Sequence, residues 1–221
     1  MKPRPTVILT RPEAASTRVA AELSGIPTLI SPVTQIAGTG AEVDLSRYRG
    51  VILTSANAVT YLPSLQGIPV YSVGARTAEE SGGVVQLVAR DAGDLVNRIT
   101  ATGPLVHAHG QETRGNIASR LTSAGIETHS VVVYVQLDEE LSQEAKAALG
   151  GDEPTILPLW SARSAQRLFS QNVTLGPNVH LIALSPAVAD VCRTAVGHAV
   201  EVCDDPDGQE MIARIVAAAG G

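Results

Sequence analysis

Aromatic residues are scarce in this chain, because Phe, Trp and Tyr make up only 3% of its 221 residues. A hydrophobic core must therefore consist of Val, Ile, Leu and Ala. Lysine is scarce as well, since Lys2 and Lys146 are the only lysines among 16 basic residues. The net charge of −6 argues against nucleic-acid binding, which depends on a basic surface.

The chain also has few cysteines, and it has no long apolar run and no recognisable phosphate-binding loop. Cys192 and Cys203 are the only cysteines, and nothing indicates a disulfide framework. The apolar runs are too short for a membrane span or a signal peptide, so we expect a cytoplasmic protein that binds no membrane. The GTG at Gly38–Gly40 lacks a third glycine and a preceding buried strand-to-helix turn, which argues against a dinucleotide site.

The stretch from Gly50 to Leu62, GVILTSANAVTYL, has a distinct pattern. Val51–Leu53 is a short apolar run without alternation, which is typical of a strand buried on both faces of a parallel sheet. Ser55 occupies the position of a helix N-cap, and a helical pattern follows it. The stretch predicts a strand, a tight turn and a helix, a junction whose outward-pointing backbone amides can bind an anion.

The same pattern occurs a second time along the chain. In residues 157–168, LPLWSARSAQRL, Ser161 and Ala162 repeat Ser55 and Ala56. Three further pairs of segments match: VYSVGARTAEE with LIALSPAVADV, DLVNRI with EMIARI, and GIPT with GIET. The spacing between the members grows gradually, as loop insertions between ordered elements would produce. We interpret the chain as two similar α/β lobes.

The remaining apolar runs complete an alternation of strands and helices, with helices predicted at 114–123 and 138–149 among others. Two strands, at 6–10 and 28–31, cannot form a sheet alone and need partners from the C-terminal third. The predicted division of the chain is a discontinuous domain of residues 1–32 and 137–221, a second domain of residues 37–131, and linker strands at 33–36 and 132–136.

Taken in order, these motifs resemble one family. The segments VILTRP, GVILTSANAV, VYSVGARTA, HGQETRGNIASRLTSAGIE, VVVYVQ and WSARSA resemble uroporphyrinogen-III synthases over essentially the whole chain. The resemblance implies an α/β fold of two similar parallel-sheet, three-layer domains joined by a two-stranded linker. It also implies a lyase without a cofactor, which closes the linear tetrapyrrole hydroxymethylbilane with loss of water and inversion of the last pyrrole ring. We expect a monomer.

Hydroxymethylbilane is rich in carboxylates, and a chain of net negative charge must bind it locally. Helix N-termini at the carboxyl ends of parallel strands can do so, because ligands of α/β sheets bind at that edge. The predicted substrate-binding residues are Arg11, Ser55, Ala56, Asn57, Gly74, Ala75, Arg76, Thr77, Gly110, Arg114, Ser161, Ala162, Arg163 and Ser185. Any single serine or threonine could instead be only a helix cap, so the prediction depends on the whole set of turns.

Tyr134, near the end of a β-branched strand, is the predicted catalytic residue. By resemblance, it helps the terminal hydroxyl of the substrate to depart, which leaves an azafulvene cation for the substituted carbon of the last ring to attack. A phenol is protonated at neutral pH and can donate a hydrogen bond to that hydroxyl. The alternative is a strand-end tyrosine with an apolar body and a solvated hydroxyl.

Other polar residues leave alternatives open. Arg114 could meet a substrate carboxylate or be a solvated residue of a first helical turn. His107 and His109 share a face of one strand, but no third ligand has a suitable spacing, so no metal site is predicted.

One departure from the family pattern concerns Val188, near which a hydroxyl is expected. This departure leaves open the alternative that the chain is a non-catalytic, two-lobed regulatory protein that binds a tetrapyrrole or a small anion. A transferase that uses nucleotide phosphates is a further alternative, which the missing phosphate loop disfavours.

Overall fold

The computed structural model describes residues 4–113 and 115–220. The chain divides into two compact units. The five-stranded unit comprises Met1–Gln35 and Leu137–Gly221, and the six-stranded unit comprises Ile36–Gln136. Within the described residues, no helix combines the length and apolar character needed to cross a membrane.

The five-stranded unit is built on a parallel sheet. Its strands are β1 (Thr6–Leu9), β2 (Thr28–Ile30), β9 (Thr155–Leu159), β10 (Val179–Ala183) and β11 (Val200–Val202). They lie in the order β2-β1-β9-β10-β11, and all four neighbouring pairs are parallel. β1 thus joins β2 to β9 of the C-terminal third, so the two short strands belong to a larger sheet and do not stand alone.

Helices cover both faces of this sheet. Successive strand residues point to opposite faces, so Ile8 packs with Ala145 and Leu168, whereas Leu9 packs with Val19 and Met211. The helices on the first face are α5 (Gln143–Gly150), α6 (Ala162–Phe169) and α7 (Pro186–Val196), and those on the second are α1 (Glu13–Glu22) and α8 (Gly208–Ala218). This is the predicted three-layer α/β arrangement.

The six-stranded unit has a mixed sheet. Its strands are β3 (Thr34–Gly38), β4 (Val51–Leu53), β5 (Pro69–Val73), β6 (Val84–Ala89), β7 (Leu105–Gly110) and β8 (Thr128–Asp138), in the order β3-β8-β7-β4-β5-β6. The pairs from β8 to β6 are parallel. β3 runs antiparallel to β8, because Thr39 N donates to Val133 O and Glu139 N donates to Val33 O.

This sheet also carries a core cluster on each face. Leu53 packs with Ala58 on one face, and Ile52 packs with Leu95 and Leu121 on the other. The helices are α2 (Ala75–Ser81), α3 (Ala92–Arg98), α4 (Ile117–Ser123) and two 3₁₀ helices, Leu45–Arg47 and Ala56–Tyr61.

The two sheets have the same strand order over five strands. The repeated segments of the sequence place β4 with β9, β5 with β10, and β8 with β2. The spatial order β8-β7-β4-β5-β6 then matches β2-β1-β9-β10-β11 strand by strand. The likeness between the two halves of the chain is therefore one of topology as well as of sequence.

The chain passes between the units within β3 and within β8. The unit boundaries fall after Gln35 and after Gln136, which lie inside these strands. The two crossing strands form the edge pair of the six-stranded sheet, and β8 also pairs with β7 over Thr128–Tyr134.

Two helices begin later than the sequence indicated. The helix predicted at 114–123 begins at Ile117, because Asn116 before it has the left-handed φ of 45°. The helix predicted at 138–149 begins at Gln143, because Asp138 still belongs to β8 and the Ser142 side chain caps the helix by accepting from Ala145 N.

The helix predicted after Ser55 is a 3₁₀ helix. Its bonds span three residues, from Ala58 N to Ser55 O and from Leu62 N to Val59 O. Pro63 follows Leu62 and cannot continue a helix, so the segment stays short, where the tighter 3₁₀ form is common.

Candidate functional site

Three turns lie at the carboxyl edge of each sheet. In the six-stranded unit they follow β4, β5 and β7; the first two contain Ser55 and Gly74, and the third comes after Gly110, the last residue of β7. In the five-stranded unit they follow β9, β10 and β1, and they contain Ser161, Ser185 and Arg11. In each unit the three strands are parallel neighbours. The structure thus gathers the predicted site residues into two groups of three turns, one in each unit.

The turn after β4 is capped by its own serine. Ser55 Oγ accepts from Asn57 N at 3.3 Å, and Ser55 O accepts from Ala58 N at 3.2 Å. Ser55 is therefore the N-cap that the sequence predicted. Because its side chain occupies the amide of Asn57, Ala56 carries the turn's remaining helical N–H group.

The turn after β5 is made by backbone alone. Gly74 adopts φ 80° and ψ 142°, which a side chain would disfavour, and it places no capping side chain over the helix start. The first internal bond of α2 runs from Ala78 N to Gly74 O, so the amides of Ala75, Arg76 and Thr77 lie outside the helical ladder.

The side chains of Arg76 and Thr77 in this turn are engaged within the protein. Arg76 Nε is 2.7 Å from Glu80 Oε1 along its own helix, and both side chains are exposed. Thr77 is buried. The contribution of this turn to an anion site therefore comes from its backbone amides.

The two serine turns of the five-stranded unit differ from one another. Ser161 Oγ accepts from Ser164 N at 3.1 Å and donates to Ser164 Oγ at 2.8 Å, which leaves the amides of Ala162 and Arg163 at the helix start. Ser185 makes no capping bond through its side chain, and Pro186 occupies the first turn of α7. Ser161 thus caps its helix through its side chain, whereas Ser185 occupies the N-cap position of α7 and bonds the helix only through its backbone oxygen.

Arg11 pairs with a residue that sequence reasoning missed. Its guanidinium carbon lies 5.0 Å from the ring centroid of Trp160, the last residue before Ser161. Trp160 Nε1 is buried and has no hydrogen-bond partner among the described residues. A cation over an indole face is a favourable contact. The sequence feature that could have identified Trp160 is its position, as the only tryptophan of the chain, between a buried strand and a capping serine.

A β-bulge in β8 brings Tyr134 against Gly110. Strands β7 and β8 pair in step as far as His109 with Val132, and the next pair is Gly110 with Tyr134, so Val133 is the extra residue. Such bulges re-aim a side chain at the end of a strand. A Cβ on Gly110 would lie 2.6 Å from Cε2 and Cζ of Tyr134. Gly110 therefore allows the ring of Tyr134 to lie close to the backbone of β7. It does not begin a helix.

Tyr134 lies mostly inside the six-stranded unit, where 5% of its surface is exposed. Its ring stacks on that of Tyr61, with the centroids 6.3 Å apart and the planes at 25°. Tyr61 was also missed, although it is one of only four tyrosines and ends the helix that follows Ser55.

Two buried histidines, His107 and His109, lie on the face of β7 opposite to the one that Tyr134 contacts. The ring centroids of His107 and His109 are 4.5 Å apart. His109 Nδ1 donates to Gly110 O at 2.6 Å, so its Nε2 accepts from Ser130 Oγ, also at 2.6 Å. Burial, and secondly the neighbouring His109, lower the pKa of His107 to about 3.

Among residues 4–113 and 115–220, these histidines do not belong to a larger set of metal ligands. In the part of the chain that the structure describes, no three His, Cys, Asp or Glu side chains are grouped so as to hold a metal ion. His107 instead contacts Thr54 Oγ1 at 3.3 Å.

Two further sequence expectations concern Arg114 and Val188. Arg114 lies outside the described residues. Val188 is 3% exposed and packs in the core of the five-stranded unit. A hydroxyl at position 188 would therefore point into apolar contacts, so the valine removes no polar group from the surface of the turn.

The chain matches a protein-family model. The model described as uroporphyrinogen-III synthase HemD matches residues 16–213, which is most of the chain. No curated protein sequence is similar enough to count as a match.

A solved structure shares the fold. The uroporphyrinogen-III synthetase of Helicobacter pylori is 18% identical with a TM-score of 0.67, and the alignment covers 97% of this chain and 99% of that one. A mutant uroporphyrinogen III synthase of Thermus thermophilus is 17% identical with a TM-score of 0.48, over 97% and 98% of the two chains.

Proposed function

Because the chain belongs to the uroporphyrinogen-III synthase family, a family of lyases in haem biosynthesis that act on a small tetrapyrrole, we propose that its substrate is hydroxymethylbilane. The reaction closes this linear tetrapyrrole into uroporphyrinogen III, releases water and inverts the last pyrrole ring. We further propose that the protein acts as a monomer in the cytoplasm.

The two groups of turns are the observation that best supports this substrate. A carboxylate-rich ligand needs positive potential, and the chain has a net charge of −6. Backbone amides at Ala56, Ala75–Thr77 and Ala162–Arg163 can supply that potential locally, because they lie at helix starts. Each charge-assisted bond to a carboxylate contributes roughly 1.5–3 kcal/mol.

Arg11 adds a cationic side chain to the group in the five-stranded unit. The Trp160 ring lies beneath its guanidinium. A planar guanidinium can bind a carboxylate through two parallel hydrogen bonds, which a lysine in its place could not do.

We assign the chemical step to Tyr134. Its hydroxyl would donate a proton or a hydrogen bond to the terminal hydroxyl of the substrate, which then leaves as water. The azafulvene cation that remains is attacked by the substituted carbon of the last ring. General-acid assistance of this kind contributes roughly 10²–10⁴-fold at most. Holding the chain so that the crowded carbon attacks is a matter of proximity and shape.

Isomer analysis of the product tests the proposed function. Hydroxymethylbilane is incubated with the protein, and the products are oxidised and separated as porphyrin isomers. We expect the type III isomer, whereas a sample without protein should yield the type I isomer from unassisted closure. Type I product alone in the presence of protein would overturn the proposal.

The oligomeric state is tested separately. Sedimentation equilibrium should give a mass close to that of one chain, 22.9 kDa, with and without substrate. A mass of two chains would contradict the monomer.

A further inference from the structure

Two tyrosine rings and two glycines form a layered cluster in the six-stranded unit, and they are Gly38, Tyr61, Tyr134 and Gly110. Tyr61 lies against Gly38, and Tyr134 lies against Gly110. The two rings are 6.3 Å apart in an offset stack, within the range over which aromatic pairs attract. Each ring thus contacts one glycine and the other ring.

Both glycines are required by the closeness of a ring. A Cβ on Gly38 would lie 2.7 Å from Cδ1 and 2.8 Å from Cε1 of Tyr61. On Gly110 it would lie 2.6 Å from the ring of Tyr134 and 2.9 Å from its hydroxyl oxygen. Distances this short do not occur for real Cβ atoms, so each glycine allows a ring to lie directly on the backbone.

Tyr61 is anchored at both ends. Its hydroxyl donates to Ile36 O, in β3, at 3.0 Å. Its backbone belongs to the 3₁₀ helix that Ser55 caps. The same short helix therefore begins with a predicted substrate-binding turn and ends with the ring that contacts Tyr134.

Tyr134 has few other restraints on its side chain. Its carbonyl oxygen accepts from Gln111 N at 2.9 Å, which fixes the backbone. Among residues 4–113 and 115–220, its hydroxyl makes no hydrogen bond. The direction of that hydroxyl therefore depends on how the ring is packed, and Tyr61 and Gly110 are the ring and the backbone against which it packs.

We propose that Tyr61 is a positioning residue, which holds the ring of Tyr134 so that its hydroxyl points at the leaving group. The inference rests on the proposed role of Tyr134. Tyr61 itself takes no part in proton transfer, because its own hydroxyl is bonded to Ile36 O.

A double-mutant cycle that crosses Tyr61→Leu with Tyr134→Phe tests the inference. We expect Tyr61→Leu to lower kcat about 10-fold where Tyr134 is present, which is less than complete loss of general-acid assistance would cost, and to leave KM within about twofold. In the Tyr134→Phe background, the same change should lower kcat by less than about twofold, because no hydroxyl is left to be aimed. Thermal unfolding should shift equally in both backgrounds.

Equal losses of kcat in the two backgrounds would overturn the inference, because Tyr61 would then act on structure alone. That outcome would leave the role of Tyr134 intact. If Tyr134→Phe by itself formed the type III isomer at the wild-type rate, the role of Tyr134 would fail and the positioning role with it. The two failures are therefore distinguishable.

Two milder variants test the same inference, and the second, Gly38→Ala, does so even if Tyr61→Leu does not fold. Tyr61→Phe keeps the stacked ring and loses only the bond to Ile36 O, so it should retain more kcat than Tyr61→Leu does. Gly38→Ala leaves Tyr61 unchanged but pushes its ring, and it should lower kcat more with Tyr134 present than in the Tyr134→Phe background. Equal effects of Gly38→Ala in both backgrounds would again overturn the inference.

Tyr48→Phe is the matched control. Its hydroxyl bonds to His129 Nδ1 at 3.3 Å, and its ring borders the same core cluster without stacking on Tyr134. It also removes one tyrosine hydroxyl. We expect kcat to stay within about twofold of the wild-type value. A loss of kcat as large as that of Tyr61→Leu would show that the effect is not specific to the contact between Tyr61 and Tyr134, and it would overturn the inference.

Discussion

The hydroxyl of Tyr134 is the group on which the proposed chemistry depends most directly. Replacing Tyr134 by Phe removes this hydroxyl and keeps the ring that packs on Gly110 and Tyr61. We expect the fold and KM to survive and kcat to fall by less than roughly 100-fold, the low end of general-acid effects. The reason for a modest loss is that the departing hydroxyl leaves a cation stabilised by its own pyrrole.

Steady-state kinetics with isomer analysis check this prediction. A variant that still forms type III product at the wild-type rate would make Tyr134 a packing residue. In that case the family's reaction would depend on shape and backbone amides alone.

The fold constrains the protonation state of His107, which is buried. Its pKa of about 3 in the folded protein lies below the ordinary 6.5, because burial disfavours the imidazolium. The unfolded chain therefore binds the proton more readily between these values. The stability that neutral His107 contributes is complete above pH 6.5 and is lost as the pH falls toward 3.

A comparison with His107→Gln isolates this effect from the titration of carboxylates. Between about pH 7 and about pH 4.5, the wild-type protein should lose about 3 kcal/mol more unfolding free energy than the variant does. Urea unfolding at a series of pH values measures both. A difference between the two proteins that does not change with pH would show that His107 is not held neutral.

At the scale of elements, the starts of α6 and α7 form a matched pair. Ser161 caps α6 through its side chain, whereas Ser185 makes no such bond at α7. We therefore expect Ser161→Ala to lower the free energy of unfolding by about 1 kcal/mol and Ser185→Ala to change it by less than about 0.5 kcal/mol. Both should leave the backbone amides in place, so KM should change little in either variant.

Chemical denaturation and substrate kinetics of the two variants provide the measurement. An increase in KM of about tenfold or more for Ser185→Ala, without loss of stability, would mean that its hydroxyl contacts the substrate directly. The proposed anion site would then depend on that side chain as well as on amides.

At the scale of the whole molecule, the two units differ in how the chain builds them. The six-stranded unit is continuous, and its two core clusters contain only its own residues. The five-stranded unit needs both ends of the chain, since β1 pairs with β9. We expect a fragment of residues 34–138 to fold cooperatively by itself, because such a unit has its own core.

Circular dichroism and urea unfolding of the fragment test this expectation. The matched control is a fragment of residues 1–35, which carries β1 and β2 without β9, the strand that joins them to the rest of the sheet, and should stay unfolded. A fragment of residues 34–138 that unfolds without a cooperative transition would show that the six-stranded unit depends on the other.

Local patterns in the sequence were enough for much of this architecture. Buried parallel strands such as Val51–Leu53 are apolar without alternation, and Ser55 and Ser161 cap helices by bonds to amides two or three residues away. Such features depend on neighbours along the chain, so the order of the elements, the two similar lobes and the family could be predicted from the residues alone.

Contacts between distant residues required the tertiary structure. The bulge at Val133 is a mismatch between two strands, and no single strand's composition reveals it. Tyr61 meets Tyr134, and Arg11 meets Trp160, because parallel strands bring their carboxyl ends to one edge whatever their separation in the chain. Periodicity describes which face a residue occupies, but only packing decides which distant side chain shares that face.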